Sequence, residues 1–158
     1  MPEFNIHALP VAGGELALSP LPGRTRHYGA DLPRLLDWRP ALVVTLCEPH
    51  ELARMGAATL GEDLAAAGVA WAAWPIPDYG VPGEGWEAVT EAALGRLRAG
   101  GRVLVHCFGG CGRSGMVVLR LMIAAGETPE AALARLRAVR PCAVETEGQM
   151  AWAVGDRA

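Results

Sequence analysis

The segment Val103-Leu-Val-His106-Cys107-Phe108-Gly109-Gly110-Cys111-Gly112-Arg113-Ser114-Gly115 holds the residues best suited to chemistry. A strand-like run leads into a glycine-rich turn, and the turn leads directly into a helix. In such a turn successive backbone N–H groups point inward and form a nest the size of an oxyanion. The helix that follows adds the positive end of its dipole at the same place. Gly109, Gly110 and Gly112 allow positive φ and a close approach to a ligand. Cys107 would face this nest, where the N–H groups, Arg113 and the Ser114 hydroxyl all favour a thiolate nucleophile. A thiolate can attack a phosphorus atom held by the N–H groups of Phe108 through Gly112. Arg113 meanwhile offers a fork to two equatorial oxygens, which lysine cannot do. The chemistry is covalent phosphoryl transfer. The bare Cys-to-Arg spacing equally describes a buried thiol beside a surface arginine. The strand–glycine loop–helix setting, with His106 before and Ser114 after, favours the catalytic reading.

Cleaving a phosphoester also needs a proton for the leaving oxygen and then a base for water. Asp78, in Pro75-Ile-Pro-Asp78-Tyr79-Gly80, sits where a proline-bracketed loop follows a strand; it either does this work or simply forms a turn. Glu51 could bond the loop or Arg113, or be a solvated carboxylate at a helix start. His106 is expected to hydrogen-bond locally and arrange the loop rather than act as base or ligand. Cys111, four positions after Cys107, could trap an oxidised Cys107 as a disulfide, or fill space beneath the loop. Cys47 and Cys142 read as core thiols. No His/Cys/Asp cluster has zinc spacing and the glycine loop lacks a nucleotide-binding lysine, so neither metal nor cofactor is expected.

The elements that must position these residues alternate between strand and helix. Ala41–Leu46, Val69–Ile76 and Arg102–His106 are short apolar runs of the kind buried on both faces of a sheet. Helical patterns cover 31–36, with Asp31 as its cap, 59–67, 85–99, 112–125, a stretch that opens on Thr128-Pro129 as a capped start and ends before Pro141, and 145–154. The expectation is one α/β domain over 1–158, with a central, mainly parallel sheet flanked by helices. Residues 1–25, rich in Pro and Gly, are expected to lie along it as an arm, with Glu15–Leu18 as their one strand-like stretch before the turn at Pro20–Gly23. The tryptophans read as core or loop anchors, with Trp74 and Trp86 flanking the Asp78 loop.

Composition excludes several classes. With 158 residues, 51% hydrophobic and 20% charged, the chain is an ordinary single globular domain. A net charge of −3 argues against nucleic acid and anionic membranes. All 14 basic residues are arginine. No apolar run would span a bilayer and no signal peptide is visible, so a reducing cytoplasm is expected, with four unpaired cysteines.

The motif His106-Cys107-x-x-Gly110-x-x-Arg113-Ser114 resembles the protein tyrosine phosphatase signature at every specified position, and the small chain resembles the dual-specificity branch. Leu18-Ser-Pro-Leu-Pro-Gly23, Glu51-Leu52, Pro75-Ile-Pro-Asp78-Tyr-Gly-x-Pro82 and Arg140-Pro-Cys-Ala-Val-Glu-Thr146-x-x-Gln149 are similar, in the same order, to blocks of the cyclin-dependent-kinase-associated phosphatase group. The resemblance runs from about residue 16 to 152. It implies a protein-tyrosine or dual-specificity phosphatase that acts on phosphorylated proteins or peptides through a phosphocysteine. Cys107 would be the nucleophile and Arg113 the phosphate clamp. Asp78 would be the general acid, Ser114 the hydroxyl that stabilises the departing thiolate, and Gln149 the group that orients water. Ser114 could instead satisfy its own helix terminus, and Gln149 could be a surface residue. Polyphosphorylated inositols would require more cations than the single Arg113 of the loop. Two other classes fit the same anion loop: a phosphopeptide-binding module and a sulfurtransferase.

Overall fold

Arg102–His106, the strand that feeds the glycine-rich turn, is the middle strand of a five-stranded sheet. The computed structural model describes residues 4–155. In chain order the elements are β1 (His7–Val11), β2 (Gly14–Ser19), α1 (Tyr28–Asp37), β3 (Leu42–Thr45), α2 (Pro49–Arg54), α3 (Leu60–Ala66), β4 (Ala70–Ala73), α4 (Trp86–Arg98), β5 (Arg102–His106), α5 (Gly112–Ala124), α6 (Pro129–Val139) and α7 (Glu147–Val154). The sheet order is β1-β2-β5-β3-β4. Only the β1–β2 pair is antiparallel; β2–β5, β5–β3 and β3–β4 are parallel.

Because β5 has a partner on each side and helices on both faces, Val103 through His106 are all buried, as a continuous apolar run requires. The two-residue period of a strand divides the core. Leu16, Leu18, Val44, Val103 and Val105 pack with Leu94 and Leu97 of α4, Met116 and Leu119 of α5 and Leu136 of α6. Ala17, Val43 and Leu104 face the other way, onto Leu35, Leu52, Leu60 and Leu64 from α1, α2 and α3. All three parallel crossovers therefore aim their strand ends at one edge, where β5 passes into α5 at Gly112.

The strand-like stretch Glu15–Leu18 lies in β2, and a second strand, β1, precedes it. Residues 7–19 form the β1–β2 hairpin, and β2 pairs Ser19 with His106 beside the site. Pro10 lies in the edge strand β1, where a missing N–H is tolerated. Asp31 is not a helix cap. It lies inside α1, buried, and its carboxylate accepts the Gly23 N–H at 2.8 Å. Helix α2 is an element the periodicity does not reveal. Among the described residues no helix is long and apolar enough to cross a membrane.

Candidate active site

The turn after β5 is held from outside by its carbonyls. Phe108 O accepts Leu21 N–H at 3.0 Å, and Cys111 O accepts Val144 N–H at 3.1 Å and Gly115 N–H at 2.9 Å. Arg140 donates from Nη2 to Gly109 O at 2.9 Å and from Nε to Gly110 O at 3.0 Å. Taking the carbonyls outward turns the N–H groups inward, which is the nest expected from the glycines. Gly110 has φ +75°, and a Cβ there would lie 2.7 Å from Pro20 N, so both conformation and space demand glycine.

Cys107 Sγ lies at the floor, hydrogen-bonded with Ser114 Oγ at 3.2 Å. The cavity above it, about 270 Å³, is lined by Arg24, Asp78, Tyr79, Cys107, Phe108, Gly109, Cys111, Gly112, Arg113, Arg140 and Glu145. Arg113 is fully buried and its donors can be counted. Nη1 gives its protons to Glu51 Oε2 at 2.8 Å and Ile76 O at 3.0 Å, and Nη2 gives one to Glu51 Oε1 at 2.8 Å. Nε has no partner. The two donors left over, Nε–H and the second Nη2–H, lie on one edge of the guanidinium plane, which is the fork a phosphate accepts. Burial alone would raise the Glu51 pKa; the hydrogen bonds from Arg113 and the Glu48 backbone, with the Arg113 charge, outweigh it and hold the carboxylate below its ordinary range. Glu51 is thus a buried partner of Arg113 rather than a solvated helix-start carboxylate.

Asp78 projects over the site, with Oδ1 3.5 Å from Arg113 Nη2 and the side chain 57% exposed. Its loop is braced at several points. Asp78 Oδ1 accepts Tyr79 N–H at 3.0 Å, Gly80 N–H reaches Pro77 O at 2.8 Å, and Tyr79 takes φ +62°, a conformation costly for an aromatic residue. Trp74 and Trp86, on either side of the loop, both pack edge-on against Trp152 of α7, with ring centroids 6.2 and 5.8 Å apart. Gln149 is buried, not on the surface. Its Oε1 accepts the N–H groups of Glu145 and Thr146, and its Nε2 donates to Gly80 O at 3.3 Å. Gln149 therefore ties α7 to the Asp78 loop, and its amide also lies about 3 Å from where a Gly112 Cβ would be.

His106 is wholly buried: Nε2 shares a hydrogen bond with Thr45 Oγ1 at 2.7 Å, and Nδ1 lies 3.3 Å from Cys107 O. Burial, with the Arg113 charge acting in the same sense, pushes its pKa down to about 4. An unfolded histidine near 6.5 binds a proton that the folded one refuses, so this group's contribution to stability is present above pH 6.5 and lost as pH falls toward 4. Between pH 7 and pH 5 the loss is about 2 kcal/mol. Urea midpoints should fall accordingly, and His106→Gln should flatten that slope; an unchanged slope would refute the assignment.

The cysteines differ from expectation. Cys111 and Cys142 form a disulfide, with Cα atoms 5.2 Å apart, while Cys47 and Cys107 are free and buried. Cys142 is an exposed residue, not a core thiol, and Cys111 is already committed rather than held ready for Cys107. The cause is local packing. Gly115 has no side chain, a Cβ there would meet Val144 N at 2.6 Å, and so the 143–144 segment lies against the start of α5 and brings Cys142 to Cys111. Closing a loop with a sequence separation of 31 is worth about 3–4 kcal/mol on a chain-entropy basis. Reductant or Cys142→Ser should lower the unfolding free energy by up to that amount, and Cys47→Ser plus reductant should show the same drop; no effect would remove the bond from the account.

Spacing alone does not decide between the two readings of Glu51, and it does not single out the two arginines, Arg24 and Arg140, beside the nest.

Comparison with known proteins adds the family. The family model described as Cyclin-dependent kinase inhibitor 3 matches residues 32–133. The Cyclin-dependent kinase inhibitor 3 of Mus musculus is 32% identical over 133 residues, 79% of this chain and 63% of that protein; that of Rattus norvegicus is 40% identical over 70 residues, 42% of this chain and 32% of that protein. This chain therefore spans less than two thirds of either relative. Among solved structures, kinase associated phosphatase superposes with TM-score 0.81 at 21% identity, covering 100% of this chain and 99% of that one. Tk-PTP in its active form superposes with TM-score 0.76 at 31% identity, covering 96% and 98%.

Proposed function

We propose that this chain, which belongs to the Cyclin-dependent kinase inhibitor 3 family, hydrolyses phosphotyrosine and phosphoserine or phosphothreonine esters in proteins or peptides through a phosphocysteine intermediate. The observation that carries this reading is the free edge of Arg113. Nε–H has no partner and Nη2 has, besides Glu51, only the Asp78 carboxylate at 3.5 Å, and both border the cavity that also contains Cys107 Sγ and the inward N–H groups. An incoming phosphate would take that fork and the nest together, which directs its phosphorus at the thiolate. Cys107 attacks, the P–O bond to the leaving group breaks, and Asp78 gives that oxygen its proton. Water then attacks the phosphocysteine with Asp78 as base. Ser114 donates to the departing thiolate, and Gln149, held beside Gly112, orients the water. A module that merely bound phosphopeptides would not require the Cys107–Ser114 pair or Asp78, and a sulfurtransferase would not require Asp78.

The test is hydrolysis of p-nitrophenyl phosphate and of phosphopeptides in EDTA, with rapid denaturation in alkaline detergent to trap phosphoprotein. Chelator-resistant turnover with a trapped, acid-labile adduct that is absent from the Cys107→Ser protein supports the reading. Thiocyanate formed from thiosulfate and cyanide, without phosphate release, overturns it. Asp78→Asn should lower turnover of an alkyl phosphoester by roughly 10²–10⁴, and of the aryl ester by much less, because nitrophenolate leaves without a proton. Equal losses on the two esters would remove Asp78 as the acid.

A further inference from the structure

Three hydrogen bonds in series run from the edge of the sheet to residue 107, and the first two side chains in the series have no part in the chemistry above. Trp71 Nε1 lies 2.7 Å from Thr45 Oγ1, Thr45 Oγ1 lies 2.7 Å from His106 Nε2, and His106 Nδ1 lies 3.3 Å from Cys107 O. The sheet sets these groups side by side. Thr45 of β3 pairs with His106 of β5 on one side and with Ala73 of β4 on the other. Trp71 is two residues before Ala73, so the three side chains stand on one face. Trp71 is 41% exposed, yet its N–H turns inward. Helix α3 makes room for the indole with Gly61, where a Cβ would meet Trp71 Cζ3 at 2.5 Å.

The series has one direction. An indole N–H only donates, so Thr45 Oγ1 accepts from Trp71. A carbonyl oxygen only accepts, so the bond at Cys107 requires the proton on His106 Nδ1. Burial keeps the ring neutral near pH 7, with that single proton to place. Nε2 is then a bare lone pair, and Thr45 gives it the hydroxyl proton. Thr45 Oγ1 has no other hydrogen-bond partner among the described residues. The reverse order would therefore leave a buried hydroxyl proton unspent and turn the Nδ1 lone pair onto the Cys107 carbonyl. The last link grips the peptide between Cys107 and Phe108. That peptide is trans, so with its carbonyl held on His106 its N–H is directed the opposite way, into the turn. Resting on the reading of Cys107 as the nucleophile, we infer that Thr45 and Trp71 are positioning residues: they hold the His106 ring in the Nδ1–H form, and through it the Cys107–Phe108 peptide whose N–H opens the nest and favours the thiolate.

Two readouts test this without turnover: nitrogen NMR of the His106 ring, and the pH midpoint of iodoacetamide alkylation read on the Cys107 peptide. The alkylation is run without reductant, which leaves Cys111 and Cys142 in their disulfide, and burial holds Cys47 as the thiol. Arg24, Asp78, Arg113, Arg140 and Glu145 line the cavity with Cys107, and Glu51 lies behind Arg113. None of these is altered, so a moved midpoint reports the series and not a changed charge. Wild-type protein near pH 7 should carry the ring proton on Nδ1, with Nε2 accepting a hydrogen bond. Thr45→Val should raise the Cys107 midpoint by about 0.5–1 pH unit and speed exchange of the ring proton with water. Thr45→Ser, which keeps the hydroxyl, should restore most of it. Trp71→Phe should move the midpoint the same way by about half as much, and it carries the test alone if Thr45→Val does not fold. The double variant should shift no further than Thr45→Val, because Trp71 acts only through Thr45; independent packing damage would add. A wild-type ring protonated on Nε2, unmoved midpoints, or additive shifts overturn the inference. The expected ring form and shifts in a protein that releases no phosphate from any ester would instead overturn the hydrolase reading and leave the positioning role standing.

Discussion

Replacing Cys107 by serine is expected to lower kcat/KM for p-nitrophenyl phosphate by roughly 10⁵–10⁶, while competitive binding of inorganic phosphate changes by no more than a few-fold. The two effects separate because different atoms carry them. In the proposed mechanism phosphate would be held by the N–H groups of the turn and by the Nε edge of Arg113, neither of which involves the sulfur. Attack on phosphorus requires an anionic nucleophile, and a serine hydroxyl would need a base to become one. None is at hand. The neutral ring of His106 has one nitrogen on Thr45 Oγ1 and the other facing the Cys107 carbonyl, so it cannot take a proton from position 107. Asp78 is needed protonated in the first step. Steady-state assays on freshly purified protein, with phosphate inhibition measured in parallel, check this. A serine variant with more than about one part in a thousand of the wild-type rate would mean that the thiolate is not the nucleophile.

The parts of this site that could be read from sequence are those that lie close together along the chain. Strand β5, the glycine turn and α5 form one uninterrupted stretch, so the buried strand, the nest and the positions of Cys107, Arg113 and Ser114 follow from local rules of strand, turn and helix. Helix α6 has its signal in Thr128-Pro129, and the observed element starts there. Helix α2 had one too: Glu48-Pro49-His50-Glu51 forms a capping box with proline at the helix start, but six residues give too little periodicity to detect. The β1–β2 hairpin was obscured by Pro10, which is acceptable only because β1 is an edge strand, a fact of topology rather than of local sequence. Glu51 lies 62 positions from Arg113, and Cys142 lies 31 from Cys111. Such pairs are made by the folding of one segment against another, and no spacing rule reports them. Asp78 is legible from its proline-bracketed loop after a strand, and Gln149 only from the family resemblance. Their proximity to the nest depends on Gly80 and on the three tryptophans that clamp the loop to α7.

Arg113→Lys is expected to lower kcat/KM by roughly 10³–10⁵, most of it in kcat, although the positive charge is retained. In the proposed mechanism the guanidinium does two things at once in one plane. Its far end takes both oxygens of Glu51 and the Ile76 carbonyl, and its near edge, the unpartnered Nε and the Nη2 beside Asp78, would receive the phosphoryl group. A lysine ammonium is a single point with three donors. Placed against Glu51 it has nothing left at the near edge; drawn toward the phosphate it abandons a carboxylate that is buried with Arg113 as its partner. The equatorial oxygens gain charge order and a fixed geometry as the P–O bonds stretch, so the loss of a matched fork falls on the transition state more than on the bound ester. Glu51→Gln separates the two duties. It leaves the near edge of Arg113 in place but the cation buried without its counter-ion, so it should cost stability and aim more than charge, with a smaller fall in kcat than Arg113→Lys. In the double variant the losses should be far from additive, because both changes act on one plane of hydrogen bonds. Assays of kcat and KM with urea unfolding of the same samples make the distinction. If Arg113→Lys stays within tenfold of wild type while remaining folded, the bidentate edge is not what holds the transition state, and point charge alone is enough.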